Sequence, residues 1–243
     1  MRIKAVISYD GTAYYGWQIQ KNLPTIESTL EGALKRICHQ DLRVTGAGRT
    51  DTGVHAFGQV AHFDWEHHTT VDKLLLGLNA ILPPDIRLLS VEETHPEFHA
   101  RFDSKSKMYL YRIDSNRVYN PFTYRYALFY PFPLDLDLMQ ECARMIEGKH
   151  DFAGFQATGT DVVETVRTVF RVEVLRQELL LVRIHATGFL RKMVRFLVGT
   201  MLEISGNRRP ISDLEQAIHT QDRNFVGVPA AARGLFLERV LYE

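Results

Sequence analysis

GAGRTDTGVHAFGQVAHF, Gly46 to Phe63, is the stretch from which the rest of the chain is read. Three glycines (Gly46, Gly48, Gly53) surround one charged pair, Arg49 and Asp51, and the stretch closes on His55, Gln59 and an apolar run into Phe63. Glycine reaches backbone conformations closed to other residues and lets a chain approach a ligand closely. A loop of this composition reads as a shaped site and not as a connector. Two nucleotide motifs come near and fail. Gly48 to Gly53 has the spacing of a phosphate loop, but Val54 and His55 stand where that motif needs Lys and Ser/Thr. Gly46 and Gly48 begin a dinucleotide fingerprint whose third glycine falls at Asp51. On spacing alone, Arg49 and Asp51 either brace a turn, as structural ion pairs do, or belong to a site.

The 243 residues suffice for one large domain or two small ones. Hydrophobic residues at 45% and charged residues at 24% match ordinary soluble globular proteins. MRIKAVISYDGT has no apolar h-region, so no export signal is expected. No run approaches the roughly eighteen apolar residues of a membrane span, and no membrane partner is expected. Cys38 and Cys142 are isolated and far apart, which argues against a disulfide framework or a zinc ribbon. A cytoplasmic, reduced setting follows as an expectation. His62, His67 and His68 come without partner cysteines or HExxH spacing, so no metal site is expected from them. The net charge is zero, yet Ala100 to Arg125 holds six basic residues against two acidic, and Arg183 to Arg209 six against one. Such segregation suits a positive stripe on a neutral protein, or else solvated charges scattered over several faces.

Along the chain, IKAVISY reads as a strand turned by Asp10-Gly11. In the TAYYGWQIQ that follows, Tyr14, Tyr15 and Trp17 flank Gly16, either stacking on bases or packing in the core. Thr25 introduces a helix with Ile26, Leu30, Leu34 and Ile37 on one stripe. Val60 to Phe63 reads as a buried strand, Leu74 to Ile81 as a helix stopped by Pro83-Pro84, and Ile86 to Val91 as a strand, together an α+β unit. In FHARFDSKSKMYLYRI, Lys107, Tyr109 and Tyr111 alternate with Met108, Leu110 and Arg112, a strand in which Tyr109 equally reads as an ordinary strand tyrosine. The Pro-, Asn- and aromatic-rich SNRVYNPFTYRYALFYPFP is expected to cross between halves. A helix follows Pro133 and ends at Gly148. Its Asp135-Leu136-Asp137 imitates a phosphatase motif but sits at a helix start, where acids suit the dipole. Thr165–Leu175 and Leu179–Ala186 read as paired strands, and a helix runs from Phe189 with Arg191 and Arg195 on one face. Ser212 to Glu215 fits a capping box, and Leu235–Leu241 closes the chain as a strand.

GRTDTGVHAFGQV resembles the active-site signature of the TruA family of tRNA pseudouridine synthases. FHARFDSKSKMYLYRI, HDFAGF (His150 to Phe155), GFLRKMVRFLVGTMLEI and ARGLFLERVLYE resemble the family's remaining blocks, in order. The resemblance implies an α+β pseudouridine synthase fold. It has two similar ferredoxin/RRM-like halves, here 1–104 with the aspartate loop and 105–243. Their mainly antiparallel sheets join into one extended sheet with a central cleft. It also implies tRNA as the partner, a homodimer, and uridines of the anticodon stem-loop (positions 38 to 40 in tRNA numbering) as targets. Carried over by residue, Asp51 is the catalytic aspartate and Tyr109 stacks on the target base. Arg49 is the loop arginine, Arg195 the arginine of the Met-Val-Arg helix, and Leu235 the pocket leucine. Arg191 and Phe196 depart from the family, standing where many members carry His and Asn.

The chemistry agrees with these residue types. Making pseudouridine breaks the N1–C1′ bond, rotates the uracil and joins its C5 to C1′. No atom is gained or lost, so no cofactor is expected. A carboxylate suffices as nucleophile or base. Burial alone would raise its pKa, and an arginine nearby opposes that shift with about 4 kcal/mol of attraction at 4 Å and an effective dielectric of 20. Arg195, Arg49 or both are therefore expected beside Asp51. Two other readings fit the same residues: a non-catalytic tRNA-binding protein, and an N-glycoside hydrolase releasing uracil.

Overall fold

The alternation of RIKAVISY puts Ile3, Ala5, Ile7 and Tyr9 on the buried side of strand β1 (Arg2–Tyr9), and a sheet grows on both its edges. The computed structural model describes residues 1–67, 69–159 and 164–243. They form two units, Met1–Lys105 with Phe236–Glu243, and Ser106–Leu235. Both are mixed α and β, as the sequence implies.

In the first unit β1 lies between β3 (His55–Asp64) and β4 (Ile86–Thr94), antiparallel to each. The short β2 (Thr45–Gly46) pairs with β3 at His62 and Ala61. Helix α1 (Ile26–Cys38) starts where Thr25 and Ser28 cap each other reciprocally and buries Ile26, Leu30, Ala33 and Leu34. Helix α2 (Val71–Ile81) is capped by Thr70 and buries Leu74 and Leu78 beside β4. The strand expected from Val60 begins earlier, at His55, so half of the motif is strand, and its Arg-Thr-Asp lies in the loop from Ala47 to Val54. The last eight residues, read from the sequence with the second half, pack in the first unit. Strand β10 (Leu235–Leu241) runs parallel to β3 there, with Phe236 opposite His55 and Leu237 opposite Ala56. The Tyr242 hydroxyl donates to the Ala100 carbonyl at 2.7 Å.

In the second unit β5 (Ser106–Asp114), β9 (Leu180–Ala186), β8 (Val166–Arg176) and β7 (Gly148–Asp151) follow one another, each antiparallel to the next. A short β6 (Leu128–Phe129) lies parallel to the end of β5. The segment expected to cross between halves stays within this unit, because the Tyr130 amide donates to the Asp114 carbonyl and the Tyr130 hydroxyl to that of Leu202. Helix α3 (Leu136–Ile146) is capped by Asp135 and packs on β8 and on α4 (Met193–Ser205). Helix α4 begins four residues later than expected. Lys192 takes a left-handed conformation (φ 62°), so Arg191 precedes the helix and shares no face with Arg195. Arg191 instead donates to the Thr158 and Gly159 carbonyls. The expected capping box of helix α5 (Ser212–Thr220) does not form. Ile211 is already helical (φ −64°, ψ −27°), and the first turn closes on the carbonyls of Pro210 and Ile211.

Among the described residues no helix is long and apolar enough to cross a membrane, and no three acidic, His or Cys side chains gather as metal ligands. His62 is buried and accepts a hydrogen bond from the Ala100 amide through Nδ1 at 3.1 Å. His68 lies outside the described residues.

Candidate active site

The Arg-Thr-Asp turn is fastened from several directions within the first unit. The Trp17 amide donates to the Thr50 carbonyl at 3.1 Å. Gly16, at φ +86°, passes so close that a Cβ there would sit 2.5 Å from that same oxygen. Only glycine meets both demands. The Asp51 carbonyl accepts from the Val54 amide at 3.1 Å, closing the turn, and Gly53 supplies a positive φ of +75° within it. The buried Thr50 hydroxyl lies 2.9 Å from the Tyr9 hydroxyl at the end of β1. Burial pushes the Tyr9 phenol well above its ordinary range, so it stays a neutral hydrogen-bonding group. The wholly buried Gln59 donates from Nε2 to the Gly48 carbonyl at 2.8 Å.

His55 anchors the far side of the loop. Its Nδ1 is 3.1 Å from the Gly11 amide nitrogen and 3.0 Å from Asp10 Oδ1, and its ring stacks on Phe236 at 4.6 Å. These ties leave Asp51 half-buried and Arg49 exposed. Within this unit the Arg49 charge acts on Glu27. Burial raises the Glu27 carboxyl above its usual range, against which the Ile19 amide donating at 2.8 Å and the Arg49 charge both work. Of the nearby aromatics, Tyr14 and Trp17 are core residues, and Tyr15 is exposed.

In the second unit Tyr109 stands in mid-β5, nearly buried, with its ring edge-on to Phe189 at 4.9 Å. Tyr111 follows on the same face of the strand and is fully buried, its hydroxyl donating to the Ala231 carbonyl at 2.6 Å. Burial raises the Tyr111 phenol, and the charges of Arg195 and Arg233 work against that shift. Arg195 Nε donates to the Ala230 carbonyl at 2.7 Å, while the Arg195 carbonyl accepts from the Ala230 amide at 2.8 Å. The 227–230 segment is also pinned along α4. The Gly227 amide donates to Thr200 Oγ1 and the Val228 amide to Glu203 Oε1, both at 2.9 Å. Leu235 is buried beyond Gly234, where a Cβ would fall 2.8 Å from the Tyr111 ring. Tyr111, Arg195 and the 230–235 segment thus form one cluster, with Tyr109 on the neighbouring strand position. Arg49 and Asp51 belong to the other unit.

Sequence reasoning did not single out Thr50, Gln59, Tyr9 or Tyr111 as positioning groups. The available signals were a glutamine inside an apolar strand and a tyrosine two residues beyond Tyr109, both weak without their partners.

A family model described as tRNA pseudouridine synthase matches residues 5–103 and 142–243. Similar curated proteins include the tRNA pseudouridine synthase A of Streptococcus agalactiae serotype V, 42% identical over 100% of this chain and 95% of its own. The protein of that name from Streptococcus thermophilus (strain CNRZ 1066) is also 42% identical, over 100% of both chains. The one from Geobacillus sp. (strain WCH70) is 42% identical over 100% of this chain and 98% of its own.

Proposed function

Because the chain belongs to the tRNA pseudouridine synthase family, we propose that its Asp51 is the carboxylate that converts uridine to pseudouridine in the anticodon stem-loop of tRNA. As a member of this family the protein is an isomerase acting on uridine in tRNA. The observation that carries the assignment of Asp51 is the number of buried ties holding the Arg-Thr-Asp turn. Tyr9 and Trp17 bond Thr50 and Gln59 the Gly48 carbonyl just before the turn, while the acid itself stays half-exposed. A turn that only connected two strands would not require them. Preorganised geometry of this kind is what positioned acid–base and nucleophilic groups need.

In this reading the target uridine leaves its stack at a cost of a few kcal/mol. Stacking on Tyr109 returns roughly 1–3 kcal/mol. Asp51 then attacks as nucleophile, in a bond released again before product, or removes a proton; the N1–C1′ bond breaks, the ring turns, C5 joins C1′, and the proton lost from C5 is matched by one gained at N1. Arg49 holds the everted nucleotide by filling the vacated space or gripping phosphate. Arg195 and Leu235 are further substrate-binding residues in this reading, the leucine supplying an apolar wall to the base. The enzyme works in the cytoplasm, as a homodimer, on positions 38 to 40, and needs neither cofactor nor metal because the rearrangement conserves every atom of the nucleotide.

The test is incubation with unmodified tRNA transcript, followed by measurement of pseudouridine and of free uracil. Pseudouridine at the anticodon stem-loop, absent with Asp51→Asn although that variant still binds tRNA, is the expected result. Free uracil would point to the hydrolase reading, and binding without either product to the non-catalytic one. Appreciable product from Asp51→Asn would remove Asp51 from the chemistry.

A further inference from the structure

Between Asp114, at the end of β5, and Asp135, the cap of α3, the chain runs from Ser115 to Leu134 without an acidic residue, and its first part is held in a fixed shape. The buried Asp114 carboxylate accepts from the Asn116 amide at 3.2 Å, from Asn116 Nδ2 at 2.8 Å and from the Thr123 hydroxyl at 3.0 Å. Asn120 adds two more ties, its side chain accepting from the Phe122 amide at 2.9 Å and its carbonyl from the Thr123 amide at 3.1 Å. A loop braced in this way nevertheless turns its apolar side chains outward. Phe122 is 88% exposed, and Tyr119 and Tyr124 stand exposed with their rings 6.0 Å apart, edge to face. Burial would favour the opposite arrangement, so an ordered display of large rings marks a contact surface.

The charges around the rings indicate the kind of partner. Arg117 and Arg125 are exposed among them. The Arg125 guanidinium lies 5.4 Å from the Tyr124 ring centre and donates from Nε to its hydroxyl. At the foot of the loop Arg176 Nη1 donates to Ser115 Oγ at 2.7 Å. Rings that offer flat faces, interleaved with planar cations, match the chemistry of unpaired nucleotides. Bases stack on aromatic and guanidinium planes, and phosphates seek arginine. A second copy of this chain fits less well. A two-fold contact pairs the same patch on both copies, and the 115–134 segment brings no acid of its own to face Arg117 and Arg125.

We propose that residues 117–125 form a stacking platform for an unpaired nucleotide of the RNA substrate, a contact additional to the reacting residues. The proposal rests on RNA being the substrate but not on the role of Asp51. Phe122 and Tyr119 supply the ring faces, Arg117 and Arg125 the phosphate contacts, and Asp114 holds the loop in place from below.

The experiment measures affinity for unmodified tRNA transcript and for a short oligouridine over a range of salt, with full-length wild type, Phe122→Ala, Phe122→Leu, Arg125→Ala and Asp51→Asn. Phe122 is exposed, so its variants keep the fold, which circular dichroism checks. Loss of one stacking ring should weaken binding about tenfold at every salt concentration, in Leu as in Ala, with KM raised and kcat at saturating tRNA unchanged. Arg125→Ala should instead flatten the dependence of log K on log salt by about 0.7–0.9. Wild-type affinity in both Phe122 variants overturns the platform. So does weaker binding that tracks dissociation of an oligomer in sedimentation, which would make the loop a protein–protein contact. If the wild type forms no pseudouridine yet binds RNA in a Phe122-dependent way, the platform stands and the catalytic reading falls.

Discussion

Thr50 shows how a side chain that never meets the substrate can still govern the acid beside it. Its hydroxyl shares a buried hydrogen bond with Tyr9, and its carbonyl takes the Trp17 amide. Thr50→Val keeps the shape but leaves the Tyr9 hydroxyl one partner short. An unsatisfied buried group costs about 1–3 kcal/mol, and because Gln59 also bonds Tyr9 the loss belongs at the lower end, about 1 kcal/mol in urea unfolding. Turnover should fall further than that stability loss explains, since the turn carrying Asp51 loosens. Unchanged kcat would make the tie purely structural. Tyr109 calls for a paired test. Tyr109→Phe keeps the ring for stacking and should retain most activity, whereas Tyr109→Leu removes it and should lose at least tenfold in kcat/KM for tRNA. Equal damage from both would transfer the role to the hydroxyl. At this scale the sequence displayed the polar pair on its glycine-rich turn, because those residues are adjacent in the chain. It hid the supports, because Tyr9 and Gln59 meet the turn only after β1 and β3 have paired.

Helix α4 depends on one missing side chain. A Cβ at Gly199 would fall 1.8 Å from the Val228 carbonyl oxygen, against rigid backbone. Gly199→Ala should therefore lift the 227–230 segment from the helix, at about 1–3 kcal/mol as for other overpacked positions. It should also disturb the Arg195–Ala230 bonds. Denaturant unfolding and tRNA turnover report both effects, and a variant as stable as wild type would show that the contact yields easily. Elements marked by strong periodicity, such as β1, α1 and α3, were legible beforehand because their apolar spacing and caps lie within a few residues. The start of α4 was not. Apolar Phe189 and Leu190 continue the helical pattern, but Lys192 turns left-handed and breaks it. The Ser212 cap failed for a similar reason, since the chain before it was already helical.

Across the whole molecule, acid is the condition that tests the packing around His62. Burial foremost, with the charges of His99 and Arg2, lowers its pKa from 6.5 to about 4, while Asp64 and Asp103 act the other way. The folded protein therefore holds His62 neutral where the unfolded chain would bind a proton. Stability from this group is complete above pH 6.5 and declines as pH falls from about 6.5 to 4. Thermal midpoints across that window should drop less steeply in His62→Asn than in wild type, and parallel curves would assign the acid sensitivity elsewhere. The order of the chain has its own bearing on how the protein is made. Residues 106–235 are contiguous and are complete as soon as they emerge from the ribosome. The first unit must wait, because the strand that pairs with β3 and the Leu241 carbonyl that receives the Lys105 amide are synthesised after residues 106–235. Translation thus finishes the contiguous unit first, and until residues 236–241 emerge the nascent sheet of the other keeps an open border that chaperones or premature pairing can reach.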